Sequence, residues 1–84
     1  MPISVYDTYV DGKRGEMHFD VYLPERNDEK AIEAAKKFVN SIGEKDAKVT
    51  AKRCSYCHSE RTTPEIAKEI KKNGYYILKM SNNL

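Results

Sequence analysis

Between Gly15 and Pro24 the chain alternates without a break. Met17, Phe19, Val21 and Leu23 are apolar, while His18, Asp20 and Tyr22 between them are polar or amphipathic. A strict period of two is the pattern of a strand that buries one face and presents the other. This segment must therefore be a strand of a sheet with something packed against one side. His18 and Asp20 then stand together on the opposite, polar side. Pro24 ends the strand because it cannot donate to a ladder.

The neighbours extend the pattern. Ile3 to Val10 is rich in Val, Tyr and Thr and predicts a strand before the first, with Asp11 to Gly15 forming a hairpin connection of more than two residues. Asn27 or Asp28 offers a helix N-cap. Ile32, Ala35, Phe38, Val39 and Ile42 then fall on one helical stripe, and Gly43 supplies a left-handed stop. Ala47, Val49 and Ala51 alternate with Lys48, Thr50 and Lys52, which predicts a third strand ending at Arg53. Thr62 or Thr63 caps a second helix with Pro64 in its first turn, Ile66, Ala67 and Ile70 on its apolar side and Gly74 at its end. Tyr75 to Met80 reads as the last strand, and residues 80–84 are expected to fray.

The order is ββαβαβ. Over 84 residues it predicts a single two-layer α+β domain, residues 1–84, with both helices on one face of a four-stranded sheet. A domain of this size buries only roughly 60–70 % of the surface its unfolded chain exposes, so a metal clip would add useful stability.

Fifteen Lys and Arg stand against thirteen Asp and Glu, a net charge of +2. That balance argues against a nucleic-acid partner. The six tyrosines lack the order and the basic-aromatic signature of an RNA-recognition motif, and strand propensity accounts for them. No apolar run approaches the roughly 20 residues that span a bilayer, and the first residues, Met1 to Val5, do not have the form of an export signal. The expectation is a cytoplasmic protein with no membrane partner.

Chemistry concentrates in Cys54-Ser55-Tyr56-Cys57-His58, which holds both cysteines and one of the two histidines. Three chemistries suit it. Zinc accepts thiolate and imidazole ligands, and a C-x-x-C turn can aim two sulfurs at one ion. The candidate ligands are Cys54, Cys57, His58 and, from the polar face of the second strand, His18. Adjacent side chains diverge, which makes His18 a better third ligand than His58, and strand parity permits His18 to meet Cys54. C-x-x-C-H is also the attachment signature of haem c, but the position of the motif past mid-chain, after three expected strands, speaks against haem. Thiol redox chemistry is the third, with Lys52, Arg53 and Arg61 nearby to favour a thiolate. Against all three stands the plain reading that small buried cysteines simply pack.

Zn²⁺ held by the cysteine loop, as a structural clip or sensor, is the leading expectation. A metal-free module that binds a protein partner is the alternative. An enzyme using His18, Asp20, Tyr22, Tyr6 and Thr8 for acid–base work is the third.

With these residues in view, the chain resembles a small family of bacterial proteins known only as a domain of unknown function. The resemblance is carried by Val5-Tyr6-Asp7-Thr8-Tyr9, by Met17-His18-Phe19-Asp20-Val21, and by Cys54, Cys57, His58, Ser59 and Glu60, and it continues through Gly74-Tyr75-Tyr76-Ile77. It implies a compact cytosolic α+β domain. It brings no activity, cofactor or catalytic residue with it.

Overall fold

A computed structural model describes residues 2–84. Its strands are β1 (Pro2–Gly12), β2 (Gly15–Leu23), β3 (Cys54–Arg61) and β4 (Tyr76–Lys79), and its helices α1 (Asp28–Ser41) and α2 (Pro64–Asn73). The α+β class and the order ββαβαβ are as the sequence predicts. One four-stranded sheet forms in the order β3-β1-β2-β4, and every neighbouring pair is antiparallel.

Both helices begin and end where their capping residues place them. Asn27 accepts a hydrogen bond from the Lys30 N–H at 3.0 Å, and Thr63 accepts one from the Ile66 N–H at 3.2 Å with Pro64 just inside. Gly43 and Gly74 hold left-handed backbone with φ of +89° and +87°, the conformation that only glycine adopts without penalty.

The helices do not share a face. The core on one side joins Tyr6, Val10, Met17, Phe19, Val21 and Leu23 to the α1 residues Ala31, Ala34, Ala35, Phe38 and Val39. Ile3, Val5 and Tyr22 form a separate cluster on the other side, against Ile66 and Ile70 of α2 and Tyr76 and Leu78 of β4. Alternation requires this division. Residues directly opposite in an antiparallel pair share a face, so Tyr6, Val21 and Ile77 lie on the α1 side while Val5, Tyr22 and Tyr76 lie on the α2 side.

Three further expectations are corrected. The third strand is not Ala47–Arg53, where only a 3-10 turn forms over Ala51–Arg53; it is the cysteine segment itself. That segment is polar because it forms an edge of the sheet, with Cys54 its one buried residue. The hairpin is tighter than expected, with Gly12 opposite Gly15 and only Lys13 and Arg14 between them. The last residues are tied down as well. Met80 and Ser81 donate their N–H groups to the His18 carbonyl, both at 3.0 Å, and Asn83 donates to the carbonyls of Arg14 and Glu16.

Candidate functional site

The tight hairpin decides what meets on the α2 side of the sheet. Its register sets Asp7 against Asp20 and Tyr9 against His18. On the other flank of β1, Ser55 stands opposite Asp7 and His58 opposite Val5. Asp7, Tyr9, His18 and Asp20 remain partly exposed, while α2 packs over the neighbouring Ile3, Val5 and Tyr22. The result is a polar floor beside a helix.

His18 is held from several directions. Its Nε2 lies 2.5 Å from Asp7 Oδ1, and the Tyr9 ring stacks on it at 4.2 Å and 7°. Ser81 Oγ accepts a hydrogen bond from its backbone N–H at 3.0 Å. Arg53 reaches over the same region, bonded to Asp11 at 2.8 Å and to Glu16 at 2.5 Å, with its guanidinium 5.9 Å from the Tyr9 ring.

Asp7, His18 and Asp20 each bring a potential ligand atom within 4.8 Å of the other two, the one such trio of His, Cys, Asp and Glu among the described residues. Asp20 is pushed above its ordinary value of 3.8, first by burial and then by the charge of Asp7, with His18 pulling the other way. Two carboxylates directly opposed across strands repel each other. A cation between them would relieve that repulsion.

The four residues expected to gather round a zinc ion are divided. Cys54 is buried in the α1-side core, where Thr8 donates to its sulfur at 3.4 Å and burial pushes its thiol up. Cys57 is exposed, with its sulfur 3.2 Å from His58 Nδ1. His58 and His18 lie on the α2 side, four rungs apart along the sheet, opposite Val5 and Tyr9 respectively. The register of β3 shifts between Val5 and Tyr6, skipping Cys57. Such a bulge leaves the extra residue outside the ladder. Of the four, only His18 belongs to the trio.

The second histidine has its own partners. His58 Nε2 lies 3.0 Å from Glu60 Oε2, and that hydrogen bond holds the Glu60 carboxyl below its ordinary value. Tyr22 is pushed up to about 12 by burial and then by its bond to Glu60.

Asp7 escapes the sequence reading, which places Tyr6 and Thr8 on the polar face instead. Both are buried on the α1 side, where Tyr6 donates to Asp28 at 2.7 Å and burial followed by that bond pushes its hydroxyl up to about 12. The missing signal was the two-residue connection. Once Gly12 and Gly15 are paired, counting back places Asp7 opposite Asp20.

Fold and site together define a small antiparallel α+β domain with a partly exposed carboxylate–imidazole cluster on one sheet face. The chain belongs to the family described as Domain of unknown function (DUF2024), whose model matches residues 1–80. It is similar to the NMR structure of protein NE1680 from Nitrosomonas europaea, at 51 % identity over 98 % of both chains and a TM-score of 0.89. No curated protein matches the chain. Among the described residues, no helix is long and apolar enough to cross a membrane.

Proposed function

We propose that this protein binds a divalent metal ion, Zn²⁺ by preference, through Asp7, His18 and Asp20. One observation carries the reading: an imidazole nitrogen and two carboxylates lie within 4.8 Å of one another on a single hairpin whose register brings the two acids face to face. Nitrogen and oxygen donors in this number suit zinc, and three protein ligands leave a position for water or a substrate. The His18 and Asp7 side chains are 26 % and 40 % exposed, so an ion can enter and keep a solvent ligand. Both cysteines are free, in keeping with a reducing cytoplasm.

The proposed role differs from a structural clip. All three ligands sit on β1 and β2, which already pair along nine rungs. An ion there fastens nothing that the ladder has not already joined. Binding would displace the proton on His18 Nε2 and would stabilise the fold only by mass action, about 2.7 kcal/mol at a hundredfold excess over Kd. A sensor, or a site that polarises a bound water, fits this geometry.

Calorimetric titration of chelator-treated protein with Zn²⁺ tests the proposal. The unmodified protein should bind one equivalent. His18→Ala and Asp20→Asn should each weaken binding by more than about tenfold, as loss of even a supporting group commonly does. The double variant Cys54→Ala/Cys57→Ser should bind as the parent does. Loss of binding in the cysteine variant alone, or no binding tighter than about 1 mM in the parent, would overturn it.

A further inference from the structure

The metal trio leaves Cys57, His58 and Glu60 unused, and these three form a chain of their own. Cys57 Sγ lies 3.2 Å from His58 Nδ1, and His58 Nε2 lies 3.0 Å from Glu60 Oε2. A carboxylate only accepts, so Nε2 carries the proton that Glu60 receives. Neutral His58 is then left with a bare Nδ1 facing the sulfur. A nucleophile, a base within reach of its proton, and a third group that orients the base are the parts of an activated thiol. Cys57 is exposed, and the bulge that frees it from the ladder gives a reagent access.

We propose that Cys57 is a nucleophilic thiol, with His58 as its base and Glu60 as the residue that positions the base, and that it exchanges with low-molecular-weight disulfides. In this step the Cys57 S–H proton passes to His58 Nδ1 and the sulfur attacks one sulfur of the disulfide. The S–S bond breaks, Cys57 is left in a mixed disulfide, and the departing thiolate takes the proton back from His58. The chemistry is monothiol despite the C-x-x-C spacing. Cys54 is buried in the α1-side core and bonded to Thr8, so it is not placed to resolve the adduct. A second small thiol must release it.

The inference does not depend on the metal site, and the experiment keeps the two apart by including a chelator throughout. Native protein is exposed to glutathione disulfide at neutral pH and the adduct is followed by intact mass. One adduct should form, at Cys57, about tenfold or more faster than in the urea-unfolded chain, a modest share of what a positioned base supplies. Cys57→Ser should abolish it and Cys54→Ala should leave it. His58→Asn should bring the rate to within about twofold of the unfolded chain.

Glu60→Gln should slow exchange and also change the imidazole ¹⁵N shifts of His58 from a single tautomer to a mixture. A purely structural role for Glu60 would not produce that second effect. Asp20 lies within the electrostatic reach of His58 and Tyr22 bonds Glu60, and both stay unchanged in every variant. Exchange no faster than in the unfolded chain, an unaffected rate in His58→Asn, or an intramolecular Cys54–Cys57 disulfide in place of the adduct would each overturn the proposal.

Discussion

Asp7 and Asp20 stand opposite one another in the ladder, and without a cation that arrangement costs stability. Asp20 is pushed up by burial and by Asp7, so its ionised form is the one the fold disfavours. For a carboxyl raised in this way the penalty is absent below the ordinary value of 3.8, where folded and unfolded chains are both protonated. It grows as pH rises through the folded value. Asp20→Asn should therefore stabilise the metal-free protein at neutral pH by ~0.2–1 kcal/mol, the scale of a cross-strand charge pair, and the gain should vanish in acid. Urea denaturation with chelator at several pH values measures it; a variant less stable than its parent at neutral pH would contradict it. A stabilising substitution at a ligand position is what a site maintained for binding predicts. The same residues show what the sequence made visible of the site. His18 and Asp20 are adjacent on one alternating strand and could be placed on its polar face directly. Asp7 belongs to another strand and depends on a register. Cys54 and Cys57 misled because C-x-x-C suggests a knuckle, whereas here it runs along an edge strand and its two thiols end in different environments.

The hairpin β1–β2 is the element on which the register depends, and Glu44 holds its turn. The Glu44 carboxylate accepts hydrogen bonds from the Lys13 and Arg14 N–H groups at 3.0 and 3.2 Å and from Arg14 Nε at 2.8 Å. The turn is packed closely enough that a Cβ on Gly12 would sit 2.7 Å from Met17 Cε and 2.8 Å from Glu44 Cδ. The Lys13 N–H, foremost, holds the carboxyl below its ordinary value of 4.5, with burial opposing it. A depressed carboxyl contributes stability that is fully present above the unfolded value and is lost as pH falls through the folded one. Glu44→Gln should therefore be less stable than the parent at neutral pH, and the gap should close below about pH 4.5. Denaturation of both proteins across that range is the measurement, and a gap independent of pH would show that the contact acts through shape alone. The helices were legible because each carries its own signals: Asn27, Thr63 and Pro64 at the starts, Gly43 and Gly74 at the ends. β3 was not. Ala47–Lys52 has the alternation of a strand, but the ladder beside β1 goes instead to Cys54–Arg61, whose polar residues suit an edge and give no periodic signal. The clamp from Glu44, beyond the end of α1, is a contact between distant segments that no local pattern announces.

At the scale of the molecule, one sheet separates two cores of unequal size. The α1 side buries Tyr6, Phe19, Met17, Val10 and Val21 fully, and α1 contributes five buried residues of its own. Among the described residues, the α2 side buries only Ile3, Val5 and Tyr22, and no residue of α2 is itself buried. Apolar burial contributes roughly 25 cal/mol per Å², so α2 is held far more weakly than α1 although both helices are well capped. Capping fixes where a helix begins and ends, while attachment to the sheet rests on side-chain area, and Ile66 and Ile70 supply little of it. The chain should therefore open in two stages, with α2 leaving the sheet before the α1 core melts. Native-state hydrogen exchange resolves this directly. Amides of α2, from Ala67 to Asn73, should exchange through an opening smaller than global unfolding, with a weak dependence on denaturant. Those of β1, β2 and α1 should exchange only through the global transition. Equal protection across both helices would mean that the two faces melt as one cooperative unit. An early departure of α2 would also uncover Val5 and Tyr22, which lie in the same rung of the sheet as His58. Added Zn²⁺ should then protect the β1–β2 amides around Asp7, His18 and Asp20 and leave the α2 amides nearly unchanged, because none of the three ligands comes from that helix.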